Sequence, residues 1–205
     1  MAAVCVFCSS SERIDQSYRR LAADVGTELA RRGHTLVSGG GRLSAMGEIA
    51  RAVRAGGRRT VGVIPRALVA HEVADDDADE LVVTLDMRER KGEMERRSDG
   101  FLTLPGGLGT LEELLEIWVG RTLGLHGHPV VVLDPDDTYA PLRAQVDLLV
   151  ARGFVRPAAR QAVHWARTPA EAIDLLEAAW AAPEPVSIVA PLSAEREQEM
   201  LEAEP

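Results

Sequence analysis

The sequence holds 205 residues, 46% hydrophobic and 27% charged, proportions that exclude a disordered or fibrous chain and fit one globular domain able to bury its own core. Its 23 basic against 32 acidic residues leave a net charge of -9, which argues against nucleic acid or an anionic membrane surface as a general partner and leaves small-ligand chemistry open. No apolar run reaches the roughly 18 residues of a membrane span, and the N-terminus shows no basic segment leading into an apolar stretch with a cleavage site, so a cytoplasmic protein is expected.

Short apolar runs alternate with longer amphipathic ones, the pattern of strand and helix units around a parallel sheet. The first strand is read at 3–8. Within it Cys5 and Cys8 are three residues apart and point to opposite faces, so two buried, reduced thiols are expected there rather than a metal pair or a disulfide. A helix over 14–32, a strand at 34–38, a helix over 44–55 and a strand at 60–64 follow. Segment 66–80, with Asp75-Asp76-Asp77, has no clear period and is long for a connection, which predicts either a lid or a solvated acidic loop. Next come a strand at 81–85, a helix over 87–98, a strand at 100–104, a helix over 110–124, a strand at 129–133 and helices over 139–152 and 169–180. In the helix over 110–124, Leu111, Leu114, Leu115, Trp118 and Thr122 recur at helical spacing, and that stripe is expected to pack on the sheet. Past Trp180 the composition turns to Ala, Pro and Glu, so residues 1–180 are read as a single domain and 181–205 as a mobile acidic tail. Right-handed crossovers make the fold class α/β, a doubly wound parallel sheet with helices on both faces and a ligand site at the carboxyl ends of the strands.

Two glycine-rich turns fall at that sheet edge. Ser38-Gly39-Gly40-Gly41 follows a strand and leads through Arg42 and Leu43 into Ser44-Ala45-Met46-Gly47. Pro105-Gly106-Gly107-Leu108-Gly109-Thr110 follows Phe101-Leu102-Thr103-Leu104 and opens the next helix. Glycines there let backbone N–H groups approach a ligand, and a helix N-terminus adds partial positive charge, so both turns suit a phosphate. Neither fits a familiar nucleotide signature. A P-loop needs Gly-Lys-Ser/Thr, yet the only lysine is Lys91, and Ser9-Ser10-Ser11 stands after the first strand where a dinucleotide fingerprint would place glycines.

In Asp86-Met87-Arg88-Glu89-Arg90-Lys91-Gly92-Glu93-Met94, Arg90 and Lys91 share a helix face with Met87 and Met94, which marks that face as turned inward. An inward guanidinium must meet an anion, either a carboxylate or a phosphate. Glu93 with Arg97 reads as an ordinary solvated i, i+4 pair. For Glu113 two readings stand. Thr110-Leu111-Glu112-Glu113 matches a capping box, and periodicity puts Glu113 on the polar side of its helix. Its place in the first turn, beside the phosphate cradle, keeps it a candidate for the chemistry.

These residues resemble the LONELY GUY (LOG) family of cytokinin-activating phosphoribohydrolases, whose members are often labelled lysine decarboxylases. The resemblance covers about residues 3–180 and rests on Pro105-Gly106-Gly107-Leu108-Gly109-Thr110-Leu111-Glu112-Glu113, on Met87 with Arg90-Lys91, on Gly39-Gly40-Gly41 with Met46-Gly47, and on the Val6-Phe7-Cys8-Ser9-Ser10 start. It implies a Rossmann-like homodimer that uses no cofactor and no metal. The implied reaction is hydrolysis of the N-glycosidic bond of adenosine 5′-monophosphate or its N6-modified derivatives to free base and ribose 5-phosphate. By the same resemblance Arg90 and Glu113 are catalytic. Substrate-binding positions fall at Ser9, Gly40, Gly41, Glu72, Met87 and Lys91, and along Gly106, Gly107, Leu108, Gly109, Thr110, Leu111 and Glu112. A general purine nucleotide nucleosidase and a non-hydrolytic nucleotide or molybdenum-cofactor carrier are the alternatives. Ser44-Ala45 stands where relatives carry Gly-Leu, and Val119 where many carry a substrate-contacting threonine. Pyridoxal chemistry would need a Schiff-base lysine, and Lys91, next to Arg90, has none of that cofactor's motifs around it.

Overall fold

The computed structural model describes residues 1–69 and 73–182. Among them the strands β1 (Ala3–Phe7), β2 (Thr35–Ser38), β3 (Thr60–Pro65), β4 (Glu80–Thr84), β5 (Gly100–Thr103), β6 (Val130–Leu133) and β7 (Val163–Ala166) form one sheet in the order β4-β3-β2-β1-β5-β6-β7. Every neighbouring pair is parallel. The helices are α1 (Gln16–Arg32), α2 (Ser44–Ala55), α3 (Met87–Arg96), α4 (Leu108–Leu123), α5 (Ala140–Ala151), α6 (Pro157–Gln161) and α7 (Pro169–Ala181). The expected doubly wound α/β architecture is the observed one.

Helices on both faces leave the central strands no solvated side, which is why β1 is apolar at every position. Val4, Val6 and Cys8 join a core with α1, α2 and α7, whereas Cys5 and Phe7 join a second core with α3 and α4. The two cysteines form no disulfide, are buried and lie on opposite faces, as their spacing requires. Asp15 starts α1 by accepting the Ser17 N–H at 2.8 Å, and Gly33 ends it at φ 83°. Close packing of α1 on α2 depends on Gly26, where a Cβ would lie 2.6 Å from the Ile49 carbonyl oxygen.

Several expectations need correction. The sequence reading omits α6 and β7. Among the described residues strand β7 has β6 as its single neighbour in the sheet, only Val163 and Ala166 of its four residues are buried, and His164 breaks the apolar run that marks the inner strands. Helix α4 begins at Leu108 with Gly107 at its N-cap, which puts Thr110 inside the helix and rules out the capping box. Its buried face is Leu114, Ile117, Trp118 and Arg121, while Leu115 is 42% exposed and Thr122 only half-buried. At 100° per residue the true face is rotated roughly 60° from the expected stripe. The reason is Arg121, which is buried and donates to the carbonyls of Gly127 and His128 at 3.0 and 2.6 Å.

Segment 66–80 is neither a free lid nor wholly solvated where it is described. Arg66–Leu68 forms a 3-10 turn, Ala74 bridges Gly41, and the Asp75 carboxylate is buried against Arg54 at 2.8 and 3.2 Å. Asp76 and Asp77 remain exposed. Residues 70–72, including Glu72, and residues 183–205, nearly all of the expected tail, lie outside the described residues.

Acid response gives a direct check on one helix. Hydrogen bonds from Arg31, opposed by desolvation and joined by Arg32, lower the Glu28 carboxyl from 4.5 to about 2. A group depressed on folding stabilises above its unfolded pKa and loses that contribution as pH falls through the folded value. Wild type should therefore shed stability between pH 4.5 and 2 in urea titrations, and Glu28→Gln should show a shallower loss over that window; parallel profiles would contradict the assignment.

Candidate active site

The chain reverses its strand order between β1 and β5, and the connections after those two strands diverge to opposite faces of the sheet. Such a switch point opens a crevice at the carboxyl edge. A cavity of about 270 Å³ lies there, walled by Cys8 and Ser9 after β1 and by Gly107, Gly109 and Thr110 after β5. Its volume is close to the ~300 Å³ lower end of small-molecule sites.

Helix α3 brings Arg90 into this cavity. The Asp86 carboxylate caps the helix by accepting the Arg88 and Glu89 N–H groups at 2.9 Å, which fixes where the helix starts and which way residue 90 points. Arg90 is buried at 4% exposure; its Nε donates to the Val63 carbonyl and its Nη2 to the Gly39 carbonyl, both at 3.0 Å. The inward guanidinium is thus met in part by carbonyl dipoles, one within β3 and one just past the end of β2. Room for it exists because residue 39 is glycine: a Cβ would stand 1.9 Å from Arg90 Nη2. Met87 is on the same wall, its sulfur 3.7 Å from Arg90 Nη1.

Helix α4 supplies Glu113. This residue is half-buried on the cavity wall, not on a solvated face, because of the rotation of α4 that buries Arg121. Both charged groups act on one thiol at the sheet centre. Burial first, and then the Glu113 charge, push the Cys5 thiol well above its ordinary value, while a Ser98 hydrogen bond and then Arg90 pull it down.

No side chain caps α4 at Gly107, and the first turn of any α-helix presents N–H groups without intrahelical acceptors, backed by the positive end of the helix dipole. A Cβ on Gly107 or Gly109 would meet nothing within 4 Å, so the backbone there borders open space. Gly106 is different: a Cβ would lie 2.2 Å from the Oγ1 of buried Thr110, so this glycine lets the turn fold down on the helix.

The structure gathers Ser9, Met87, Arg90, Gly107, Gly109, Thr110, Glu112 and Glu113 onto one wall. Other expected positions lie elsewhere. Gly40, at φ 74°, backs onto Gly62, Val63 and Ile64, and Gly41 donates its N–H to Met46 Sδ at 3.1 Å, so both shape the protein instead of bordering the cavity. Leu108 is 85% exposed, and Leu111 packs on the α3 and α4 core. Lys91 is not on the wall; its ammonium pairs with Glu112 and, at 2.7 Å, with Glu116. Burial works against that charge, but the two carboxylates outweigh it and raise the lysine above its ordinary pKa. A Schiff-base lysine needs a neutral amine, so the residues present do not fit pyridoxal chemistry.

Residues missed by sequence reasoning are Cys8, Ser10, Ser11, Met46 and Leu68. The three serine and cysteine positions carried a signal, since they directly follow a central strand. Ser44 adopts φ 53° and its Oγ donates to the Ser11 carbonyl at 2.6 Å, which offsets left-handed strain and ties the Ser9–Ser11 lip to α2. Gly39→Ala should displace the Arg90 guanidinium and lower stability by about 1–3 kcal/mol, the usual range for overpacking, measured by urea unfolding; an unshifted midpoint would mean the arginine is held some other way.

Residues 46–176 match the family described as "Possible lysine decarboxylase". A "Cytokinin riboside 5'-monophosphate phosphoribohydrolase" of Mycobacterium tuberculosis is 51% identical over 158 residues, covering 77% of this chain and 84% of its own. A protein of Oryza sativa with the same name prefixed "Probable" is 45% identical over 174 residues, covering 85% and 71%. One from Arabidopsis thaliana is 42% identical over 174 residues, covering 85% and 81%. Among solved structures, the molybdenum cofactor carrier protein of Chlamydomonas reinhardtii aligns with a TM-score of 0.66 at 22% identity, over 87% of this chain and 98% of that one, which is a likeness of fold alone. The chain belongs to the family described as possible lysine decarboxylases, the LOG family that includes these phosphoribohydrolases.

Proposed function

We propose that the protein is an N-glycosyl hydrolase of the cytokinin-activating type, which cleaves adenosine or N6-modified adenosine 5′-monophosphates to free base and ribose 5-phosphate. The observation that carries this reading is the meeting of Arg90 and Glu113, from separate helices, on one small cavity at the uncapped head of α4. The 5′-phosphate sits against the first-turn N–H groups of α4 and the Gly106–Gly107 turn. That contact brings the sugar's C1′ to Glu113, whose carboxylate stabilises the developing oxocarbenium charge and orients water. The C1′–N9 bond breaks with its electron pair going to the base. Water oxygen then bonds to C1′, and its proton leaves for the base nitrogen. Arg90 holds the carboxylate and the phosphate in register and belongs, with Glu113, to the catalytic pair.

Met46, Leu68 and Met87 give the cavity an apolar portion that suits the base and an alkyl group on N6 rather than the phosphate. The resemblance adds a homodimer, and one face supports it. Leu115, Val119, Leu123, Leu148 and Phe154 are all large, apolar and between 42% and 78% exposed, and several line a groove between α4 and α5. Two buried cysteines without a disulfide fit the reducing cytoplasm.

Glu113→Gln should reduce release of adenine from the monophosphate by at least 1,000-fold while nucleotide affinity stays within about threefold, read by chromatography and calorimetry; undiminished turnover would remove Glu113 from the mechanism. Turnover of N6-isopentenyl adenosine monophosphate should exceed that of the plain nucleotide at equal concentration, and equal rates would favour a general nucleosidase. Light scattering should give twice the monomer mass for wild type and a monomer for Val119→Glu; a monomeric wild type would refute the pairing.

A further inference from the structure

The turn that carries the proposed phosphate site has no side-chain cap of its own, and Pro105 at its centre has no N–H with which to close it. Support comes from behind. Tyr139, at 3% exposure and outside the cavity, donates its hydroxyl to the Leu104 carbonyl at 2.8 Å. The Gly106 backbone, two residues on, bears on the same phenol and pulls its pKa down against the effect of burial. The phenol thus holds the bend Leu104-Pro105-Gly106 by the carbonyl that opens it.

The ring that delivers this oxygen is itself fixed. Its backbone N–H lies 3.2 and 3.3 Å from the two carboxylate oxygens of Asp134, which is fully buried after β6. Arg143 Nη1 donates to the same carboxylate at 3.0 Å and stacks over Trp165 with its guanidinium carbon 4.8 Å from the ring centroid. Trp165 meets the Tyr139 ring edge to face, with centroids 6.5 Å apart. The position of the phenol is thus set by β6, α5 and β7, three elements that contribute nothing to the cavity wall.

We propose that Tyr139 is a positioning residue for the enzyme's phosphate site: its hydroxyl sets the Gly106–Gly107 backbone at the angle from which the head of α4 receives the 5′-phosphate. Burial holds the phenol protonated far above its ordinary value, so the hydroxyl remains a donor to Leu104 across the working range of pH. The assignment rests on the phosphate placement proposed above and adds the group that keeps that placement rigid. Losing the oxygen leaves the carbonyl of buried Leu104 without this partner, and the backbone must shift to satisfy it.

Tyr139→Phe removes that one atom. The expected result is a KM for adenosine monophosphate raised at least fivefold, with kcat changed less than twofold. Ribose 5-phosphate should bind at least fivefold more weakly by calorimetry, while inhibition by adenine, which has no phosphate, stays as in wild type. A merely structural loss would weaken all ligands together, and that pattern, or an unchanged KM, overturns the assignment. If wild type releases no base, the hydrolase reading fails by itself, and the ribose 5-phosphate titration still decides the role of Tyr139. Should the variant not fold, a Tyr18→Phe protein grown with 3-fluorotyrosine carries Tyr139 as its single labelled tyrosine. Its fluorine resonance must move on saturation with ribose 5-phosphate; a stationary signal overturns the proposal.

Discussion

A buried guanidinium organises the catalytic edge of this molecule. Arg90 leaves α3, crosses beneath the first glycine turn and is held by the Gly39 carbonyl just past β2 and the Val63 carbonyl within β3. Taking that charge out of water is expensive, and the cost is tolerable only where fixed dipoles replace the lost hydration. Much of the local sequence follows from that need. Gly39 must lack a Cβ, Met46 and Met87 fill the space beside the charge, and Asp86 fixes the start of the helix that aims it.

The two glycine-rich turns look alike in sequence and do different work. In the first, Gly39 clears space for Arg90, Gly40 lies against β3, and Gly41 pairs with Ala74, whose neighbour Asp75 is clamped by Arg54. Its glycines serve contacts within the protein. In the second, Gly106 yields to Thr110, but Gly107 and Gly109 face open space at the head of α4. A ligand can reach backbone there, whereas at the first turn the protein has already occupied it.

The fold was legible because parallel strands covered on both faces are almost wholly apolar, and six of the seven stood out as short runs between amphipathic helices. Strand β7 was not, since His164 breaks its short Val163-His164-Trp165-Ala166 run, whereas β4, the other edge strand, keeps Leu81-Val82-Val83 unbroken. The site was legible where residue type itself was unusual, in Arg90 on a helix face with Met94 and in the glycines closing a central strand. The inward face did not extend to Lys91, which pairs off the wall, or to Met87, which is half exposed. Glu113 was harder. Hydrophobic periodicity put it on the solvated side, because periodicity counts Arg121 as polar and cannot know that two carbonyls will bury it. Turning α4 onto that arginine carried Glu113 round to the cavity and left Leu115 and Val119 outside. The resemblance to relatives, not the helical pattern, pointed to Glu113. Tyr139 gave no sequence signal, because its partners are backbone atoms some 35 residues away.

Of the 23 basic residues, Lys91 is the only lysine. Guanidinium groups keep their protons throughout the physiological range, so nearly all of the molecule's basic side chains carry a charge that neither pH nor lysine chemistry can remove there. Acetylation, which silences lysine charge, has a single side-chain ammonium to act on, and that one already sits between two glutamates. The chain has thereby removed nearly every handle by which a lysine-modifying enzyme could retune its surface.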